Sequence, residues 1–596
     1  RTRELGLYNI LGMGKRHIAM VLIFETLYIG VLGIGGGFAV GVLLHKLVSL
    51  LLHKVMNMPV PFGFYISWSG MAQTAVLFAA LLLITLLCNL NKVRASKPIE
   101  LLHSGNAGER EPKTRWLLTL LGVVSLGGGY GIAIKTRTGV EAIMMYFVAV
   151  FLVIIGTYCL FTAVSIFVLK ALRRSKGFYY QTSHFIGISG MLHRMKQNAV
   201  GLANICILCT MVMVMLSGTL SLYLGTAEIV QQMYPGDLNF KVRYFPVTEA
   251  GEAPFDPAAM LAAQTGFVEE QGYAADNVRT SSSLEFGVGQ LADGSFTTDR
   301  FAAGTSGLVV YVTCITESDY TTLTGKTLGL SAGEIAAYNA PGDALTIHWT
   351  VPKEGRELST DTFPIVHKLT ANPVFSAMIT QMLTIVVPDE AALFSFWEKQ
   401  SAVYGDSASI RWSAYLDVDG TEEELRDLAA GYENAIEDPS FYEGTGSWER
   451  CTLNLRLDGA ADSYGLAGGF LFLGIFLGFI FLMATVLIIY YKQISEGYED
   501  KDRFEIMQKV GLSREEVRSS IRGQVLTVFF MPIAVASIHI VFDFNMVEKL
   551  LTLFSLHDTF LTAMCTLGTV LVFFAVYGTV YVLTARTYYK IVERRH

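Results

Sequence analysis

VGLANICILCTMVMVMLSGTLSLYLG at residues 200–225 and GLAGGFLFLGIFLGFIFLMATVLIIYY at residues 465–491 are two apolar runs, and the long stretch between them is polar and acidic. Crossing a ~30 Å hydrocarbon core takes about 20 residues of apolar helix. Each run is long enough. Residues 225–463 instead hold 13 Lys and Arg against 35 Asp and Glu, net −22, which leaves 32 against 17, net +15, for the rest of the chain. The sequence therefore reads as a membrane protein whose inserted segment and span-flanking loops carry opposite charge.

Working outward, further runs of spanning length begin near Ile18, Met71, Trp116, Ile143, Val525 and Leu561, giving eight spans in all. The whole chain of 596 residues is 52% hydrophobic and 16% charged. Ordinary globular chains carry about 25% charge, so a soluble class is excluded. The chain opens on Arg1 in a basic stretch, so upstream residues are expected and a signal peptide can be read neither way.

Short basic loops stay in the cytoplasm. Arg1, Arg3, Lys15 and Arg16 precede the first span; Lys92, Arg94, Lys97, Arg110, Lys113 and Arg115 follow the second; Arg173, Arg174, Lys176, Arg194 and Lys196 precede the fifth. Lys492 to Arg522 and the tail from Arg586 to Arg595 fall on the same side if every run crosses once. Both ends of the chain are then cytoplasmic and the acidic insert extracellular. Lys46, Lys54, Lys135 and Arg137 form the minority on outer loops.

Residues 3–26 laid over 502–525 align Leu5 with Phe504, Leu7 with Ile506, Leu11 with Val510, Gly12 with Gly511, Met13 with Leu512 and Glu25 with Gln524. Each copy reads as a short amphipathic helix, a glycine break and a second helix entering the membrane. Ser513 and Glu516 have capping-box spacing after the second break. Such elbows either lie on lipid or offer two equivalent contacts to a symmetric cytoplasmic partner.

ELGLYNILGM at residues 4–13, VGLS at 510–513, and the domain inserted between spans resemble the FtsX-like permeases of ABC systems. RMKQNAVGLANICIL at 194–208 resembles the segment that leads into the seventh span of bacitracin-resistance (Bce-type) permeases. That resemblance implies ten spans in the full-length protein, two preceding Arg1. It divides the chain into a first FtsX-like unit at 1–92, a central two-span region at 93–197, a span at 198–225, an extracellular α+β domain at 226–463 and a second FtsX-like unit at 464–596. The fold class is a polytopic α-helical membrane protein with a large extracellular α+β insertion.

The resemblance also implies a non-catalytic subunit in the cell membrane of a low-GC Gram-positive bacterium. One copy would pair with two ABC ATPase subunits, which bind ATP and Mg, and the complex would free a lipid-linked target from bacitracin-like peptides. A sensor histidine kinase, the antimicrobial peptide, its undecaprenyl pyrophosphate complex and membrane lipids are the implied partners; no nucleic acid is. Alternatives are a lipoprotein- or lipid-extracting permease and a signalling scaffold controlling a kinase or wall hydrolase.

Glu4, Leu7, Tyr8, Leu11, Gly12 and Met13 in the first elbow, and Met507, Val510, Gly511 and Leu512 in the second, are the candidate ATPase-coupling residues: apolar side chains fill a groove and glycines set the angle. Arg194, Lys196 and Asn198 read as lipid-headgroup anchors or ATPase contacts. Lys135 and Arg137 are candidate cations for a lipid pyrophosphate.

Catalytic and metal motifs do not emerge. Gly325-Lys326-Thr327 has Tyr320 where a phosphate loop needs glycine. Cys206 and Cys209 sit in an apolar run without a second pair, and no His-Glu-x-x-His occurs. The chain is expected to bind no cofactor or metal itself. Gly33/Gly37/Gly41 and Gly474/Gly478, four apart, are expected to mark close span contacts. Glu25 reads as a buried contact near the elbow in preference to a transport site. Cys314 and Cys451 are the two cysteines outside the membrane, and sequence leaves their pairing open. Residues 344–351 and 451–457 read as strands, 389–404 and 421–437 as helices. The domain's acidity serves either solubility or attraction of cationic peptides.

Overall fold

The computed structural model describes residues 8, 11–56, 66–95, 116–136, 139–174, 182–246, 253–302, 304–370, 372–374, 381–405, 408–509 and 514–593. Among these, eight helices are long and apolar enough to cross a membrane. The chain is a polytopic membrane protein with an α+β domain inserted between its fifth and sixth spans.

Residues 1–114 form one compact unit. It holds α1 (Lys15–Val55) and α2 (Trp68–Ala95). Ile18 and Leu22 bury against Leu86 and Leu90, and a Cβ at Gly30 would meet Leu82 at 2.9 Å, so the helices touch over this stretch. Farther along they part around a 680 Å³ groove lined by Gly33, Gly37, Gly41, Gly70 and Thr74. A Cβ at Gly33, Gly37 or Gly41 would meet nothing within 4 Å, which corrects the expectation that this glycine row is a close contact. Glu25 is half-buried on α1.

The second unit, residues 115–596, contains the other six spans. α3 (Trp116–Lys135) packs on α4 (Gly139–Cys159) with glycine at the contact: a Cβ at Gly122 would lie 2.7 Å from Cys159 Cβ, and one at Gly129 2.8 Å from Val153. A π-helical turn at Leu160–Val164 leads into α5 (Ser165–Arg174). α6 (Thr182–Met233) has 52 residues, roughly 78 Å at 1.5 Å per residue, and so extends well beyond a hydrocarbon core.

The inserted domain is built on ten strands: β1 (Leu238–Tyr244), β2 (Ala275–Leu291), β3 (Phe296–Thr297), β4 (Thr305–Thr316), β5 (Ile335–Tyr338), β6 (Ala344–Val351), β7 (Arg356–Leu369), β8 (Gln381–Val387), β9 (Ile410–Val418) and β10 (Arg450–Leu455). Their order is β10-β1-β9-β2-β3-β6-β7-β5-β8-β4, and β4 pairs back onto β2, so seven strands form a closed circuit of hydrogen bonds. Within that circuit closure removes free edges, which otherwise invite aggregation, while β10 ends the order and pairs with β1. Alternate residues Leu238, Phe240 and Val242 of β1 are fully buried with Trp349 and Tyr432 in one core. Each such side chain contributes about 1.5–3 kcal/mol on burial.

The helices α7 (Pro257–Glu270), α8 (Glu317–Thr324), α9 (Glu390–Tyr404) and α10 (Glu422–Ala435) complete the domain. Asp389 caps α9 through the Ala392 N–H, and Thr421 and Glu424 form a reciprocal capping box on α10, as their spacing predicts. Gly325, the first residue of the Gly-Lys-Thr triplet, is the left-handed C-cap of α8 at φ +72°. Cys314 is buried on β4, Cys451 lies on β10 beside Tyr432 Oη at 3.3 Å, and both are free thiols.

The final helices are α11 (Arg456–Lys509), α12 (Arg514–Leu551) with Pro532 inside it, and α13 (Thr559–Glu593). Two expectations change here. The strand expected at 451–457 stops at Leu455, and Arg456 already begins α11. The helix of the second elbow is the unbroken continuation of that span to Lys509.

Candidate functional site

Only two backbone connections join the inserted domain to the membrane: α6 runs into β1, and β10 runs into α11. Any motion passing between spans and domain along the chain must go through them. Tyr234-Pro235-Gly236-Asp237 makes the first turn, and a Cβ at Gly236 would lie 2.6 Å from Leu416 N, a space that excludes any other residue. Asn239 folds back on the turn, accepting from Gly236 N at 3.1 Å and donating to Gly236 O at 2.6 Å.

Arg456 binds the two connections together. Its Nε donates to Tyr234 O at 2.9 Å, Nη1 to Asp237 Oδ1 at 2.9 Å, and Nη2 to Asp417 Oδ1 at 3.1 Å and to Pro235 O. Its own N–H donates to Asp237 O at 2.9 Å. One planar guanidinium thus ties the end of α6, the start of β1, the end of β9 and the start of α11. Lysine lacks that fork. Arg279 Nη2 adds a bond to Pro235 O at 2.7 Å, and Val418 N donates to Asp237 Oδ2 at 3.1 Å.

Below this clamp the two long helices stay in contact. A Cβ at Gly474 would lie 2.6 Å from Thr219 Oγ1, and one at Gly478 3.5 Å from Leu216 and Val212, so this glycine pair marks the close approach its spacing predicts. Tyr223 and Tyr464 meet edge to face at 5.9 Å. Leu222, Ile229, Ala467, Val547 and Leu556 bury together, joining α12 to the pair. Burial, and then the nearby Asp462 carboxylate, push the Tyr234 phenol above its ordinary pKa. The domain also touches the α12–α13 connection, where the Tyr338 and His557 rings stand 6.2 Å apart.

The sequence-predicted residues lie elsewhere. Tyr8 is helical, and both Tyr8 and Leu11 are exposed. Gly12 has φ +95°, and Met13 N donates to Tyr8 O at 2.9 Å, the six-residue closure that ends a helix on a left-handed glycine. Met13 itself packs against the Ile18 and Leu22 cluster of its own unit, so it is not offered outward. Glu4, Leu7, Val510, Gly511, Leu512 and Arg137, with Ser513, lie outside the described residues. Met507 is on the last turn of α11 and Arg194, Lys196 and Asn198 are on α6, with side chains outside the described set. Lys135 is exposed at the end of α3. Sequence reasoning missed Arg456 altogether. The Tyr-Pro-Gly-Asp turn at 234–237 was the available signal.

Residues 1–98 and 475–591 match the family described as FtsX-like permease C-terminal, so both copies of the elbow repeat fall within matched stretches. Over these two stretches the chain is similar to FtsX-like permeases, and over most of its length it is similar to permeases of ABC transporters. It is 24% identical over 547 residues to the ABC transporter permease protein YxdM of Bacillus subtilis, covering 91% of this chain and 80% of the relative. It is also 24% identical over 556 residues to the bacitracin export permease protein BceB of Bacillus subtilis, and 22% identical over 557 to that of Halalkalibacterium halodurans. Each of these alignments covers 90% of this chain and 80% of the relative.

Proposed function

We propose that this chain is the membrane subunit of a bacterial ABC system that protects against bacitracin-like peptides, with its inserted domain outside and its elbows in the cytoplasm. Two ATPase subunits dock on the elbows. Their closure moves α6 and α11, and the clamped pair carries that motion to the domain, which frees the lipid-linked target of the peptide. A histidine kinase reads the same motion. ATP and Mg belong to the ATPase, and this chain is a non-catalytic partner.

The observation that carries the reading is the continuity of the two long helices into the Arg456 clamp, because a lever requires stiffness across the membrane boundary. Likeness to permeases named for bacitracin export supports the peptide class. The domain's excess of Asp and Glu supports attraction of a cationic peptide.

The test is ATP hydrolysis by the purified chain with its ATPase, with and without bacitracin plus undecaprenyl pyrophosphate. A ligand-dependent rate that disappears in Arg456→Ala supports the lever. A rate that ignores the ligand removes the peptide assignment, and failure to bind any ATPase removes the coupling role of the elbows.

A further inference from the structure

Within the second unit, a cavity of 600 Å³ opens among α3, α4, α6, α11 and α12. Its walls are mostly apolar, with the aromatic rings of Tyr146, Phe147, Phe470 and Phe481 among them. One acidic side chain, Asp543, lines it, and no Lys or Arg does. His539 and Asp543 are four residues apart on α12, hence on one face, and both fall well inside the span Phe529–Phe554.

The histidine is already satisfied. Thr157 Oγ1 donates to Val153 O at 2.6 Å and so accepts from His539 Nε2–H at 3.0 Å. That leaves Nδ1 to accept from the Tyr130 hydroxyl at 2.6 Å. Tyr130 is fixed in turn by stacking on Phe542 at 4.0 Å. Asn545, the other polar residue nearby, is used on Ala133 O and Thr136 O. Among the described residues the Asp543 carboxylate makes no hydrogen bond or ion pair, and Tyr146 lines the same cavity. An acidic group at such depth is costly without a partner and marks a binding site by default.

We propose that this cavity binds an organic cation, an apolar body bearing one protonated amine, with the amine on Asp543. The carboxylate supplies a charge-assisted hydrogen bond, aromatic faces attract the cation, and the remaining walls take the apolar body. His539 is a positioning residue that holds the α3, α4 and α12 wall in place. The inference is independent of the peptide-resistance reading. An amine can come from a lipid headgroup or from a free amphiphile, and the test separates the two.

The full chain in phosphatidylcholine nanodiscs is titrated with radiolabelled dodecylamine, with dodecanol as the uncharged counterpart. Saturable amine binding that dodecanol does not displace is expected. Asp543→Asn weakens it at least about tenfold, as loss of a hydrogen bond to a charged group implies, while Asp543→Glu retains it and Glu354→Gln on the domain surface has no effect. Equal binding of amine and alcohol, or unchanged binding in Asp543→Asn, overturns the proposal. A second measurement needs no variant: dicyclohexylcarbodiimide labelling of Asp543 in the unaltered chain is blocked by dodecylamine and not by dodecanol, and labelling indifferent to the amine refutes the site. Where binding holds, competition by phosphatidylethanolamine assigns the amine to a lipid headgroup, and lack of competition assigns it to a free amphiphile.

Discussion

Gly459 lies under the ring of Tyr234 so closely that a Cβ there would stand 2.0 Å from Cε2 and 2.2 Å from Cζ. Because Tyr234 follows the last residue of α6 and Gly459 is in the first turn of α11, this contact sets how near the two helices come as they enter the domain. Gly459→Ala is expected to destabilise the chain by about 1–3 kcal/mol through overpacking. The double variant Tyr234→Ala/Gly459→Ala removes the obstructing ring and should recover part of the loss. Thermal unfolding of the detergent-solubilised chain checks this, and a purely additive pair of effects rejects direct contact as the cause.

Arg456 holds the same junction by charge. Its side chain is 31% exposed, with Asp237 at 28% and Asp417 at 30%, so the network is neither fully desolvated nor a surface pair. Arg456→Ala leaves two carboxylates and two carbonyls without their shared donor, an expected loss of about 2–3 kcal/mol. Arg456→Lys should recover less than half, since an ammonium does not span four acceptors on three segments in the plane that guanidinium does. Hydrogen exchange at Asp237, Asn239 and Val418 reads the change locally; protection equal to that of the unaltered chain would remove the clamp from the account.

Gly12 is the point where backbone conformation meets the coupling role proposed for the first elbow. At φ +95°, an L side chain is strained by about 1–2 kcal/mol. No neighbour lies within 4 Å of a Cβ there, so the strain is confined to the backbone. Gly12→Ala is therefore expected to loosen the turn between Tyr8 and Met13 while the inserted domain unfolds at an unchanged temperature. ATPase stimulation by the chain should fall several-fold, and Leu11→Ala, which keeps the backbone, should reduce ATPase affinity instead. Identical behaviour of the two variants would argue against an elbow whose angle matters.

The spans were legible because twenty apolar residues in a row have few other uses. Their ends were not. Residues 456–463, RLDGAADS, are polar because they project beyond the hydrocarbon, and a helix in water beside a domain keeps no apolar run to announce it. The two glycine rows show a second limit: Gly474 and Gly478 abut a neighbouring helix while Gly33, Gly37 and Gly41, at the same spacing, line an open groove. Spacing tells which face is small and not whether a partner covers it. Arg456 and His539 escaped because their partners are distant in sequence, although a His and an Asp four apart inside an apolar run were there to be noticed.

Glu317 gives the inserted domain a pH-sensitive corner. Its carboxylate accepts from Leu328 N at 2.7 Å, from Gly329 N, and from Leu330 N at 2.9 Å, fastening the loop after α8. Burial pushes this acid up, but the three backbone donors outweigh it and hold Glu317 below its ordinary value of 4.5. For an acid whose folded pKa is depressed, the stabilisation is complete above the unfolded value and is lost as pH falls through the folded one. Protection of the Leu328 and Leu330 amides, corrected for intrinsic exchange, should thus be level above about pH 5 and decline below 4.5. Glu317→Gln should lower protection across the range and flatten the acid decline, because a neutral amide presents one acceptor oxygen in place of two and does not titrate. A decline that persists unchanged in the Gln variant would assign the transition to another group.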